Sequence, residues 1–261
     1  MRLRKRRGTM GDLNLLPGVP EEYVRQRLAA AGGKEVESGK FTSRDSSAAL
    51  AVNAFAWFHD RPGRLPVIPE TEAAGWPATR VEVEYCARFP WRGGRHPWLD
   101  ALIQTPTHIL GVESKRHEPF RDAKKVCLSE AYDRPVWGVG MGPYERMRDR
   151  LRSGEAKFQH LDAAQLVKHA FGLVTEAGRK DGRKPVLLYL YDEPSRWPWE
   201  GIELHRQEVD QFGTAVDDAA VGFVAVRWRD WPDGWAATGD PEVIGHGVRL
   251  GERFGLDVRR T

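Results

Sequence analysis

Two carboxylates and a lysine stand in neighbouring stretches of this chain that both show the pattern of a β-strand. Asp100 lies within the stretch 97–104, while Glu113 and Lys115 end the stretch 108–115. Side chains two apart on a strand project from the same face, so Glu113 and Lys115 point the same way. A tight turn between the two stretches would bring Asp100 beside them. The sequence therefore predicts a cluster of two acids and one base on neighbouring strands.

This set of side chains suits the hydrolysis of a phosphodiester bond. The reaction needs a water molecule that is deprotonated near neutral pH and a stabilised, highly charged pentavalent transition state. A Mg²⁺ ion supplies both when two carboxylates hold it and leave water positions open. A lysine near the metal orients the water and balances charge. The backbone carbonyl of Ser114, between Glu113 and Lys115, is a further candidate metal ligand.

The acid-x-lysine triplet alone is a weak signal, because it occurs three times, at 113–115, 122–124 and 155–157. Only the first triplet follows an apolar strand, and only the first has an aspartate in the preceding strand. The competing interpretation is a surface hairpin whose acid and lysine form an ion pair that contributes little to stability. Asp100 argues against it, since aspartate is disfavoured within strands.

The pattern of apolar residues predicts an α/β fold with a mixed central sheet flanked by helices. Three stretches separated by turns predict an antiparallel meander, and the apolar run PVLLYLY predicts a central strand buried on both faces. The predicted helices are 20–32, 43–58, 159–177 and 203–215, and the predicted strands are 80–89, 97–104, 108–115, 185–191 and 221–228. At most one short helical segment is expected from Asp240 onwards.

Two motifs in these strands resemble the signature of the PD-(D/E)XK nuclease superfamily. They are His96-Pro97-Trp98-Leu99-Asp100 and Gly111-Val112-Glu113-Ser114-Lys115. The order of elements over about 45–192 is similar to the αβββαβ core of that restriction-endonuclease-like fold. Three further segments are similar to a bacterial restriction-endonuclease-like branch: Ser46-Ser47-Ala48-Ala49-Leu50-Ala51-Val52-Asn53, Glu118-Pro119-Phe120 and Gln165-Leu166-Val167-Lys168-His169.

The resemblance implies a metal-dependent endonuclease. Asp100 and Glu113 would be the ligands of Mg²⁺, or of Mn²⁺ in its place. Lys115 would be the catalytic base or the group that orients the water. Superfamily members often carry a polar residue on the second core helix, where Gln165 would hold the attacking water or a phosphate.

The chain departs from the superfamily pattern at two points. Pro97 does not directly precede Asp100. The first core helix offers Asn53 where many members have a glutamate, and Glu84 on the first strand is a candidate replacement ligand. These departures leave the number of metal ions open.

Basic residues cluster, although the net charge of the chain is only +3. Arg148 and Arg150 belong to an arginine-rich segment, and Lys168 shares a predicted helix with Gln165. Such clusters can follow phosphates, so these basic residues are predicted to contact nucleic acid, with DNA as the expected substrate. The competing interpretation is a solvated helix face.

The chain of 261 residues is long enough for one large domain. We expect a basic arm over 1–18 and a single domain over 19–261, with its core at about 45–192 and a C-terminal extension over 193–261. No apolar run reaches the ~18 residues of a membrane helix, and no apolar stretch follows the basic start, so a cytoplasmic protein is expected. The oligomeric state is open, and a homodimer is compatible with the sequence.

Two other functions fit parts of the pattern. A nucleic-acid-binding or assembly module of the same fold would keep the sheet, but nothing would require the two acids and the lysine together. A carbohydrate-active hydrolase would explain paired carboxylates and ten tryptophans, but it would need neither the lysine nor a metal. Dependence of turnover on a divalent metal therefore separates the nuclease from both.

Overall fold

The fold is organised around a five-stranded β-sheet whose strands lie side by side in chain order. The computed structural model describes residues 13–32, 39–121, 124–179 and 182–256. The strands in these ranges are β1 (Arg80–Cys86), β2 (Trp98–Gln104), β3 (His108–Lys115), β4 (Lys184–Tyr191) and β5 (Gly222–Arg227).

The sheet is mixed. β1, β2 and β3 form an antiparallel meander, whereas β3, β4 and β5 run parallel. Antiparallel neighbours need only tight turns, while parallel neighbours need longer crossover connections. The turn from β2 to β3 is closed by the Thr105 amide, which donates to the His108 carbonyl at 3.0 Å. The predicted meander and the central position of β4 are both confirmed.

Helices cover both faces of the sheet. Those in the described ranges are α1 (Glu21–Ala31), α2 (Ser47–Ala56), α3 (Gly142–Ser153), α4 (Ala163–Arg179), α5 (Trp199–Ala215), α6 (Pro232–Ala237) and α7 (Pro241–Phe254). One apolar layer joins α1, α2, α6 and α7 to the sheet, and a second joins α3, α4 and α5 to it. None of these helices is long and apolar enough to cross a membrane.

The predicted αβββαβ order is present as α2, β1, β2, β3, α4 and β4, and α3 is inserted before α4. α2 begins after Ser46, whose hydroxyl accepts from the Ala49 amide at 3.1 Å. A serine in this position satisfies a backbone donor that the first helical turn leaves unpaired. α3 is not among the helices that the sequence predicts with definite bounds.

The end of the chain differs from the prediction. The segment after Asp240 is not short, because α7 runs for 14 residues and is capped by the Asp240 carboxylate. Its glycines have low helix propensity, so the sequence did not predict a long helix there. Tertiary packing compensates, since Val243, Leu250 and Phe254 are buried in the layer that contains α2.

The predicted loose arm over 1–18 is also corrected in part. Residues 1–12 lie outside the described ranges, but the segment from Leu13 onwards packs on the domain. Leu13 is only 1% exposed. The Leu16 amide donates to the Asn53 side-chain carbonyl at 2.7 Å. Asn53 on α2 therefore anchors the N-terminal segment.

Helix α4 lies unusually close to the β1–β2 hairpin at Gly172. A Cβ atom at Gly172 would lie 2.8 Å from Pro97 Cγ, 2.9 Å from Ala87 Cβ and 3.0 Å from the Ala87 carbonyl oxygen. Such distances are shorter than atomic contact allows, and one of the three neighbours is backbone. The glycine thus sets how near α4 can approach the strands that carry the acidic residues.

We expect Gly172→Ala to lower the free energy of unfolding by about 1–3 kcal/mol, because the added methyl group forces α4 away from the hairpin. Gly178→Ala is the matched control in the same helix, since a Cβ there meets no atom within 4 Å. The control should be neutral or stabilising by up to about 1 kcal/mol. Urea denaturation checks both, and equal effects of the two changes would contradict the close approach.

His246 is a fully buried titratable group in the layer below α2. Its ring stacks on Trp57 with centroids 4.9 Å apart, and its Nε2 donates to the Asn53 carbonyl oxygen at 2.9 Å. Its Nδ1 has no hydrogen-bond partner among the described residues. Burial lowers the pKa of His246 to about 4. A second proton would therefore sit on a buried nitrogen without an acceptor.

The free energy of unfolding should fall as the pH drops from about 6.5 to about 4. In this window the unfolded chain binds a proton at His246 and the folded chain does not, so stability is present above it and lost within it. His246→Gln keeps a donor for the Asn53 carbonyl but cannot titrate. It should reduce the acid loss by about 2–3 kcal/mol. Denaturant titrations at pH 7 and pH 4.5 test this, and an unchanged acid loss in the variant would refute it.

Candidate active site

The structure brings Asp100 and Glu113 to opposite positions on β2 and β3. Ala101 pairs with Val112, which places the residues on either side of this pair across from each other. The Asp100 carboxylate accepts a hydrogen bond from the Ser114 amide at 2.7 Å. This bond fixes Asp100 against the end of β3, between Glu113 and Lys115.

Glu113 is almost fully enclosed, with 2% of its surface exposed. One carboxylate oxygen forms an ion pair with Lys115 Nζ. The other oxygen lies 3.1 Å from His169 Nδ1, without the alignment of a hydrogen bond. Glu113 and Lys115 share the face of the sheet that α4 covers, as expected for residues two apart on a strand.

The charges of these groups are strongly coupled. Burial, and then the nearby Glu113 carboxylate, raise the pKa of Asp100 well above its usual range. Burial also raises the pKa of Glu113, although Lys115 opposes this. Burial alone would lower the pKa of Lys115, but the charges of Glu113 and Asp100 outweigh it and raise that pKa. Two enclosed carboxylates thus share a single ammonium group.

This donor set fits a divalent cation. Carboxylate and carbonyl oxygens are the ligands that Mg²⁺ takes in proteins, and a second positive charge would relieve the repulsion that raises the Asp100 pKa. The described residues contain no cluster of three or more His, Cys, Asp or Glu side chains at metal-binding distance. The candidate ligands are Asp100, Glu113 and the backbone carbonyl of Ser114.

His169 on α4 completes the enclosure of Glu113. Its ring is 2% exposed, and burial together with the Lys115 charge lowers the pKa of His169 to about 3. The imidazole is therefore neutral beside the carboxylate. In the sequence, only its helical spacing from Gln165 placed His169 near the site.

Glu118 follows the second motif, and both of its carboxylate oxygens accept hydrogen bonds. One carboxylate oxygen accepts from the Ser47 hydroxyl at 2.7 Å and the other from the Arg116 amide at 2.9 Å. Burial would raise the pKa of Glu118, but these hydrogen bonds and Lys115 lower it. Glu118 thus ties the end of β3 to the first turn of α2. Nothing in the sequence indicated that Ser47 contacts Glu118.

Glu84 lies on β1 opposite Asp100, between the pairs Val83–Ala101 and Tyr85–Leu99. Its φ of 47° falls in the left-handed region, and the alternation of side chains along β1 reverses there. Asn53 is committed to the N-terminal segment and does not replace the glutamate of the superfamily pattern. The candidate role of Glu84 as a ligand stays a prediction.

A cleft of about 1030 Å³ opens beside these residues. Gln165, Lys168 and His169 line it from α4. Gln165 and Lys168 therefore face the same cleft as His169. Their proposed contacts with water or phosphate stay predictions.

The two arginines predicted to contact nucleic acid are placed differently. Arg148 is 8% exposed and donates to the Tyr132 carbonyl at 2.6 Å and to the Asp149 carboxylate at 2.8 Å. Its guanidinium is committed to the protein, so we withdraw it from the predicted interface. Arg150 is paired with Glu155 at 2.7 Å on the outer surface. Residues two apart diverge around a helix such as α3, which separates these arginines.

These features define a restriction-endonuclease-like fold of the PD-(D/E)XK type, with a mixed sheet flanked by helices. Residues 5–219 match the family described as Restriction Endonuclease associating with ARP, and the chain belongs to that family. No curated protein matches the sequence, and no solved structure matches it either. The resemblance that the motifs around Asp100 and Glu113 carried is thereby confirmed at the level of the family.

The repulsion in the site predicts that Asp100→Asn stabilises the metal-free protein by about 1 kcal/mol. An asparagine keeps an oxygen for the Ser114 amide but removes one of two crowded charges. Glu118→Gln is the control variant, and it should change the free energy of unfolding in the opposite direction. Its amide can accept from only one of the Arg116 and Ser47 donors, so stability should fall. Urea denaturation in EDTA measures both, and a destabilising Asp100→Asn would contradict the charge excess.

Proposed function

We propose that the protein is a metal-dependent endonuclease that hydrolyses phosphodiester bonds in DNA. The observation that carries the proposal is the convergence of Asp100, Glu113 and Lys115 at the end of β3, next to a large cleft. Membership of a restriction endonuclease family supports the reaction class.

Asp100, Glu113 and the Ser114 carbonyl would hold Mg²⁺, with Mn²⁺ as a substitute. When bound, the ion would lower the pKa of a water molecule and neutralise charge on the scissile phosphate. The two carboxylates share one ammonium group, so their excess negative charge favours a divalent cation. The enclosure of Glu113 by α4 holds its carboxylate in one orientation.

Lys115 would act on the reacting phosphate. Its ammonium group forms an ion pair with Glu113, and 18% of its side chain is exposed. The ion pair fixes the orientation of the ammonium group, and its remaining N–H groups would donate to the substrate. Negative charge builds on the attacking water and the phosphate oxygens in the transition state. A fixed ammonium group stabilises that charge more than it stabilises the ground state.

Gln165 and Lys168 would contact the nucleic acid next to the reacting group, since both face the cleft. The family description also names an association with ARP, and we extend that association to this chain. Co-purification of ARP with the tagged protein would check it.

The two alternative functions fit the site less well. They are a catalytically inactive nucleic-acid-binding or assembly module of the same fold, and a carbohydrate-active hydrolase. A nucleic-acid-binding or assembly module has no need of two carboxylates beside one ammonium group, an arrangement that the fold must stabilise at a cost. A carbohydrate hydrolase has no use for a lysine held against its glutamate. Neither predicts that turnover requires a divalent metal.

Lys115→Ala should lower the rate of plasmid cleavage in Mg²⁺ by about 10²–10⁴-fold, while DNA binding changes little. Lys157→Ala is the matched control, because Lys157 ends another acid-x-lysine triplet but is exposed and lies outside the site. That variant should cleave like the wild type. Gel assays with plasmid, linear duplex, single-stranded DNA and RNA, in Mg²⁺, Mn²⁺ or EDTA, provide the measurement.

Three outcomes would refute the proposal. Near-normal turnover of Lys115→Ala would make the lysine a bystander. Cleavage that persists in EDTA would exclude the metal. Absence of cleavage of every substrate in both metals would favour the catalytically inactive module.

A further inference from the structure

The cleft beside the active centre is built from three parts of the chain. The β1–β2 hairpin contributes residues from 89–98, and the segment 126–132 forms a second wall. The third wall is formed by Asp162 and the first turns of α4, up to His169. It reaches the active centre at His169, whose Nδ1 lies 3.1 Å from Glu113. Whatever fills the cleft therefore extends to the candidate catalytic residues.

Trp98 lines this cleft. Its indole is half-buried and has no ring partner or cation partner among the described residues. Trp91 on the same hairpin contrasts with it. That ring packs on Phe89 and Trp137, with centroids 4.8 Å and 5.3 Å away, and Arg134 lies over it at 4.6 Å. Trp91 is thus part of the wall, whereas Trp98 is available for a ligand.

Trp98 also lies close to the reacting position. It precedes Asp100 by two residues on β2, which corresponds to roughly 7 Å along a strand. Successive nucleotides of one strand are about 3.4 Å apart along a B-form helix. The indole is therefore within one or two nucleotides of a phosphate bound at Asp100 and Glu113.

Three of the other lining residues suit a nucleotide. Arg95 and Lys168 supply positive charge, and Gln165 supplies an amide that can donate and accept hydrogen bonds. An aromatic face stacks with any nucleobase, and an amide reads the edge of a base. A base within a duplex has both faces stacked and its pairing edge occupied. Only an unpaired base can use this combination of groups.

We propose that the cleft binds an unpaired nucleobase next to the scissile phosphate, stacked on the Trp98 indole. Lys168 and Arg95 contact the adjoining phosphates, and Gln165 contacts the edge of the base. The inference rests on the proposed nuclease function for the position of the scissile phosphate. The base comes either from a single strand or from a duplex that extrudes one nucleotide.

Fluorescence anisotropy of labelled DNA oligonucleotides in EDTA tests the stacking directly. The wild type should bind a single strand, or a duplex with one mismatch, more tightly than a fully paired duplex. Trp98→Ala should weaken the preferred binding about tenfold. Trp98→Phe should restore most of it, whereas Trp98→Leu, apolar but without a ring, should not.

Trp199→Ala is the matched control. Trp199 on α5 is 61% exposed and lies outside the cleft, so its loss should leave binding unchanged. Tighter binding of the single strand would show that the bound base comes from single-stranded DNA. Tighter binding of the mismatched duplex would show that a nucleotide is extruded from a duplex. Equal binding of all three DNAs, or binding by Trp98→Leu as tight as by Trp98→Phe, overturns the proposal.

Cleavage assays in Mg²⁺ separate this inference from the proposed function. If no substrate is cut but Trp98→Ala still weakens binding of unpaired DNA, the base site stands and the nuclease proposal fails. If Trp98→Ala and the wild type cut and bind every substrate alike, the nuclease proposal stands and the base site fails.

Discussion

The Glu113 carboxylate lies between the sheet and α4, where its charge is compensated on one side by Lys115 and bordered on the other by the neutral ring of His169. A buried carboxylate of this kind is stable only if its partners are held in place. The close approach of α4 at Gly172 and the hydrogen bond from Ser114 to Asp100 provide that support. The active site therefore depends on the position of α4 and on the register of the meander as much as the fold does.

The opposite side of β3 is fixed by different contacts. The Ser114 hydroxyl accepts from Trp228 Nε1 at 3.2 Å, and Glu118 connects the strand end to Ser47 on α2. Arg116 is 4% exposed and pairs with Asp192 at 2.9 Å after β4. The residues between the catalytic candidates thus alternate with structural ones. This alternation follows from the period of two along a strand, and it explains how one short motif serves both the chemistry and the core.

Sequence reasoning succeeded where the signal is local and failed where it depends on packing. Glu113 and Lys115 share a face because of strand geometry, and the turn before β3 brings Asp100 across from them, so the trio was predictable. Arg148 was not, because only the tertiary structure shows that its guanidinium holds the Tyr132 carbonyl. α7 was missed because its glycines weaken the helical pattern while its buried apolar face restores the helix.

The distribution of paired arginines bears on how such a protein recognises nucleic acid. Arg206 and Arg229 both bind Glu193, and Arg152 forms an ion pair with Asp133, so much of the cationic surface is neutralised within the protein. With a net charge of only +3, long-range attraction to phosphates is weak. Affinity must then arise from short-range contacts near the active centre, where base stacking is less sensitive to salt than ion pairing is. An enclosed cleft with one available indole is suited to that mode of binding, whereas an open basic face would favour capture of any duplex.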